Sequence, residues 1–172
     1  ASNILSFEQS TNSTLTIGAI NKQSTISGDQ TGNIYIGKGL TQGSGSTRAL
    51  ISDFASSWSN TSHQANIKLT ISEGIFTNKG ANYINVKQIT LSGGITANGG
   101  SNNIVAGNTT NSGTTSINGN ITANGGTNNL YIKETNASAT PSLIGNITTQ
   151  SNGNNNIILE DALWAPTNIP NS

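Results

Sequence analysis

The sequence predicts an all-β protein, a right-handed parallel β-helix (solenoid) of about five rungs of 20–26 residues, with a loop insertion near residues 48–66. Three features carry the prediction. ITANGGSNNIVA at residues 95–106 returns as ITANGGTNNLYI at residues 121–132, 26 positions further on. Within each short run apolar residues alternate with polar ones, the period of a strand with one buried face. Charge is scarce: Asp, Glu, Lys and Arg make up 8% of the chain, against roughly 25% in ordinary soluble domains. In their place stand 27 Asn, 23 Thr, 22 Ser and 20 Gly. Low charge alone fits disorder; the periodicity points instead to stacked β-structure. A repeat of this length marks a solenoid, in which single units cannot bury their apolar faces and stacking does so. The Leu/Asn consensus of leucine-rich repeats is missing, and no helical pattern intervenes.

The first dozen residues are irregular. N-terminal rungs occupy 15–47, where TISGDQTGNIYI at 25–36 is a faint copy of the repeat. The period breaks over 48–66, which holds Phe54, Trp58 and the one histidine, His63. Insertions in solenoids lie in loops on one face and often carry binding; the alternative role of these residues is to pin the loop to the rod. Regular rungs fill 67–159. IFTNKGANYINV at 75–86 fits the template, and Ile147-Thr148-Thr149 and Asn154 through Leu159 continue it. A second column, Ile71, Leu91, Ile117 and Leu143, lies four residues upstream of each repeat start and is followed by a Gly- or Asn-bearing link. Each unit therefore reads strand, tight turn, strand, Gly/Asn turn, strand, variable loop. The inward set is Leu69, Ile71, Ile75, Ile89, Leu91, Ile95, Ala97, Ile104, Ala106, Ile117, Ile121, Ala123, Leu130, Ile132, Leu143, Ile147, Ile157 and Leu159. Gly and Asn suit the bends because they tolerate positive φ. Asn98, Asn124 and Gln150 recur at one turn, and Asn103, Asn129 and Asn156 at the next, where stacked amides can bond up a ladder. Residues 160–172 read as an exit into a linker. No cap for open strand edges is evident and Met is absent, so the chain reads as a segment of a longer β-helix.

Without Cys there is no disulfide, thiolate ligand or Cys nucleophile. Zero net charge and seven scattered basic residues make no footprint for nucleic acid. Glycosidase chemistry needs two facing carboxylates, and the one adjacent acidic pair, Glu160 and Asp161, would point to opposite faces of a strand. His63 and Asp53 lack the elbow context of a hydrolase serine. GGSNN and GGTNN carry Asn where calcium-binding β-rolls carry Asp, and neutral amides alone are poor calcium cages. No catalytic, cofactor-binding or metal residue is expected. Thr96, Thr122 and Thr148 form one outward column, where an ice-binding array needs two.

One column is less bland. The central outward position of the last strand reads Tyr35, Asn85, Val105, Tyr131, Ile158. A water-facing strand should be polar there, so this stripe marks either a contact surface or cover for a loop or neighbouring domain. Its candidate contact residues are Tyr35, Val105, Tyr131 and Ile158.

The GNITANGG and NNLYI phrases, the Asn/Thr/Ser/Gly-rich rungs and the missing Cys resemble the passenger domains of bacterial autotransporters (type V secretion). Within them the chain is most similar to the vacuolating-cytotoxin-like group of Helicobacter and Campylobacter, well over residues 69–159 and weakly over 15–36. The resemblance implies a right-handed β-helix carried across the outer membrane by a C-terminal β-barrel. It implies an adhesin or toxin-like virulence protein, secreted or held at the bacterial surface, and no enzyme. The implied partners are a host-cell receptor or neighbouring passenger segments or subunits, without nucleic acid. A membrane would be met only through the C-terminal barrel, which this sequence lacks, as it lacks the apolar GxxxG region of the pore-forming toxin. Two other classes remain: a self-assembling extracellular fibre or matrix protein, and a polysaccharide-active β-helix enzyme.

Overall fold

The computed structural model describes residues 2–7, 13–20, 33–40, 60–107, 115–133, 142–162 and 164–167. The described strands are β1 (Ser2–Ser6), β2 (Ser13–Ile17), β3 (Asn33–Gly37), β4 (Ala65–Ile71), β5 (Ile75–Thr77), β6 (Ala81–Ser92), β7 (Ile95–Ala97) and β8 (Ser101–Ala106). They continue with β9 (Ser116–Asn118), β10 (Ile121–Asn124), β11 (Thr127–Lys133), β12 (Leu143–Ile144), β13 (Ile147–Gln150), β14 (Asn154–Glu160) and β15 (Trp164–Ala165). Among the described residues there is no α-helix, and one 3-10 turn spans Thr61–His63.

Among the described residues every strand pairing is parallel, and the strands sort into three ladders. The first runs β2, β4, the second half of β6, β9, β12, β15. The second runs β5, β7, β10, β13, with Ile20 bridged to Ile75 at its start. The third runs β1, β3, the first half of β6, β8, β11, β14. The chain visits the ladders in that order and then repeats. Parallel neighbours need a crossover connection, and here the strands of the other two ladders supply it. The result is a nearly closed parallel sheet, consistent with a β-solenoid.

The lengths of the repeat follow from the links. β6 is one 12-residue strand that passes from the third ladder into the first without a loop. That pass advances the pattern by 20 residues, Asn82 to Asn102. The next inserts residues between β8 and β9, and Asn102 to Asn128 spans 26. Asn128 to Asn155 spans 27. Its extra residue lies in the turn before β14, where Ser151 and Asn152 take positive φ of 52° and 61°.

Branched side chains fill the interior in register. Ile75, Ile95 and Ile121 stack along the second ladder, and Ile36, Ile84, Ile104 and Leu130 along the third, all buried. Burying one such side chain contributes about 1.5–3 kcal/mol, and ordering each residue costs about 1–2 kcal/mol, so a single unit cannot stand alone. The expected inward set is buried from Leu69 to Leu143. Its last members, Ile147, Ile157 and Leu159, are only half-buried, because β13 and β14 have no outer partner among the described residues.

An asparagine column shares this core. Asn82, Asn102 and Asn128 are fully buried. Each Nδ2 donates to the next Oδ1, Asn82 to Asn102 at 2.8 Å, Asn102 to Asn128 at 2.9 Å and Asn128 to Asn155 at 2.9 Å. Each also donates to a backbone carbonyl at the preceding corner: Phe76, Thr96, Thr122 and, for Asn155, Thr148. A second, outward ladder runs the other way, from Asn156 Nδ2 to Asn129 Oδ1 and from Asn129 Nδ2 to Asn103 Oδ1, both at 2.9 Å.

Candidate contact face

The outward positions of the third ladder form two columns. Asn85, Val105, Tyr131 and Ile158 are direct register partners, at a strand spacing of roughly 4.8 Å. Tyr35 is not among them. It pairs with Tyr83, in the column that continues through Asn103, Asn129 and Asn156. The repeat alone joins Tyr35 to Asn85, two positions away. A slip of two residues keeps every side chain on its face, so alternation cannot detect it; the pairing of Ile36 with Ile84 decides it. Tyr35 is buried and stacks on Tyr83 with centroids 5.1 Å apart and planes 9° from parallel. Its hydroxyl accepts from Asn33 Nδ2 at 3.3 Å. Burial, and then the neighbouring Tyr35, raise the Tyr83 hydroxyl above the ordinary tyrosine value.

The Asn85–Ile158 column passes from covered to open. Asn85 is fully buried: its Nδ2 donates to Asn60 O at 3.0 Å, and its Oδ1 accepts from Gln64 Nε2 at 3.1 Å. Gln64 Nε2 also reaches Val86 O and Gly107 O. The end of the expected insertion thus lies over this part of the stripe. His63 is buried there, with Nδ1 3.0 Å from Lys38 O and its backbone carbonyl accepting from Lys38 N at 2.8 Å. Phe54 and Trp58 lie outside the described residues. Val105 is also buried.

Beyond Val105 the face opens. Tyr131 is half-buried and Ile158 is 56% exposed. The Tyr131 hydroxyl donates to Glu160 Oε2, and Lys133 Nζ stands 3.7 Å from Glu160 Oε1. The hydrogen bond to Glu160 raises the Tyr131 hydroxyl above its ordinary value, and burial and the Glu160 charge add to this. The sequence reading missed Lys133 and Glu160 as members of this face. The signal was available: they are register partners, two positions beyond Tyr131 and Ile158, and therefore point the same way. The arrangement offers an apolar surface bordered by a tyrosine–carboxylate–ammonium cluster, suited to contact. Among the described residues no three of His, Cys, Asp and Glu converge where a metal ion could sit. Among the described residues no helix is long and apolar enough to cross a membrane.

Comparison with protein-family models, with curated proteins and with solved structures finds no match to this chain.

Proposed function

We propose that the chain is a stretch of right-handed parallel β-helix of about five rungs, from the passenger of a secreted or surface-exposed bacterial autotransporter in the style of the vacuolating-cytotoxin-like group. Its rungs act as a stalk, and the open end of the lateral stripe meets a host cell or a neighbouring segment. The observation that carries this reading is the Tyr131–Ile158 pair, an apolar patch on the outward side of a strand that should be polar. The Cys-free, low-charge composition supports it through the passenger resemblance. The role is one of contact and presentation, without catalysis; sugar release that is lost in carboxylate variants would overturn that. A second reading, a self-assembling extracellular fibre, rests on the outer edges of β13 and β14, which have no partner among the described residues, since open strand edges template further pairing.

Labelled chain is titrated onto epithelial cells and sized by light scattering in the same buffer, beside a Tyr131→Ser/Ile158→Ser double variant. Saturable binding by a monomer, weakened in the double variant at unchanged melting temperature, is the expected result. Binding unchanged in the variant would move the contact elsewhere. No binding by a monomer would leave the stalk role alone, and mass that grows with concentration would favour the fibre.

A further inference from the structure

We infer that Asn98 is a site of spontaneous deamidation, the one Asn-Gly pair in the rod at which folding leaves the reaction open. The chain holds four such pairs: Asn98-Gly99, Asn118-Gly119, Asn124-Gly125 and Asn152-Gly153. In the reaction the backbone N of the glycine attacks the asparagine Cγ. An N–Cγ bond forms, the Cγ–Nδ2 bond breaks, and Nδ2 leaves as ammonia, carrying the proton that the glycine N–H releases. Water then opens the five-membered succinimide at either carbonyl, giving aspartate or isoaspartate. Water is the only co-reactant.

Three conditions govern the rate. The side-chain amide must be loose in water, the next residue must offer no steric barrier, and its N–H must be able to give up its proton and swing to Cγ. The first two do not separate the four pairs: all four asparagines are exposed and every following residue is glycine. The third does. Gly119 N donates to Ile144 O at 2.8 Å, Gly125 N to Gln150 O at 3.0 Å, and Gly153 N to Gln150 O at 2.9 Å. Among the described residues Gly99 N–H has no acceptor, and Gly99 is itself exposed. The ladder bond at this corner is made one residue earlier, by Asn98 N to Thr77 O at 2.8 Å, after which the chain turns away at Gly99 with φ +93°. Gly119 and Gly125 must first break a bond between levels of the stack, and Gly153 the bond that closes its own turn, and such opening carries a free-energy cost.

The product matters at this position. It places a negative charge on a chain of zero net charge, on the outward side of the corner between β7 and β8. The isoaspartate form also lengthens the backbone by one methylene beside Gly100, where a Cβ would already meet Thr77 Cγ2 at 3.0 Å.

The test is to hold the purified chain in mildly alkaline buffer at body temperature and follow all four pairs by peptide mass mapping, with isoaspartate detected by carboxyl methylation. The same chain unfolded in urea is the control. The expected result is comparable rates at the four pairs in urea and, in the folded chain, a rate at Asn98 at least about tenfold above the other three, the equivalent of about 1.4 kcal/mol. Equal rates in the folded chain, or an Asn98 as silent as the rest, would overturn the inference.

Discussion

Asn102 makes three hydrogen bonds inside the rod: it accepts from Asn82 and donates to Asn128 and to Thr96 O. Buried polar groups that lose a partner cost about 1–3 kcal/mol each, whereas removing both partners can be nearly neutral. Asn102→Leu should therefore destabilise by at least about 2 kcal/mol in urea melts, and adding Asn128→Leu should cost less than the sum of the two single changes. Strict additivity would mean that the column is not coupled. The two shifted tyrosines give a second prediction. Tyr83 and Tyr131 hold their protons more tightly folded than unfolded. Their contribution is therefore fully present below the unfolded value, about 10, and is lost as pH rises through the folded values. Urea melts should show stability falling above about pH 10, less steeply in Tyr83→Phe. The outward Asn103, Asn129 and Asn156 were readable as a ladder from their recurrence. The inner one was not, because Asn reads as a surface residue. Parity would have found it: Asn102, Ile104 and Ala106 share one face of β8.

The corners between the second and third ladders are set by two glycines with different tasks. Gly125 takes φ +72° with room for a Cβ, whose nearest neighbour would be Ser151 O at an ordinary contact distance of 3.7 Å. Gly126 has no such φ, but a Cβ there would meet Gly100 O at 2.6 Å and Gly99 N at 2.8 Å. The first demand is conformational and the second steric. Gly125→Ala should cost about 1–2 kcal/mol, and Gly125→Asn less, because Asn visits the left-handed region more readily. Gly126→Ala and Gly126→Asn should both cost at least about 1–3 kcal/mol, since backbone must move. Thermal melts of the four variants check this; rescue by Asn at position 126 would contradict it. Strand existence was legible because alternation and the repeat agree from Leu69 onward. The level of Tyr35 was not, because NIYI at 33–36 matches NLYI at 129–132 almost residue for residue, whereas the structure sets Tyr35 level with Asn129, two positions earlier on the same face.

The whole molecule stands on registration between levels. Low charge, amide ladders and stacked branched residues all require identical positions to lie one above the other, and any slip would break them together. The open part of the contact stripe was half legible. Tyr131 and Ile158 recur at one position of the repeat, but the cover over Asn85 comes from Asn60 and Gln64, outside the regular rungs, and no repeat predicts it. The absence of Cys makes the register directly testable. Thr122 and Thr148 are outward register partners on β10 and β13, while Gln150 lies two positions further along β13. Neighbouring strands lie roughly 4.8 Å apart, within disulfide reach, whereas diagonal positions at about 7–8 Å are beyond it. Two double variants, Thr122→Cys with Thr148→Cys and Thr122→Cys with Gln150→Cys, are oxidised under mild conditions and assayed for the intramolecular bond by mass. The account predicts near-complete closure of the first pair and little of the second. Closure of the second in preference to the first, or of neither, would contradict the in-register parallel stack.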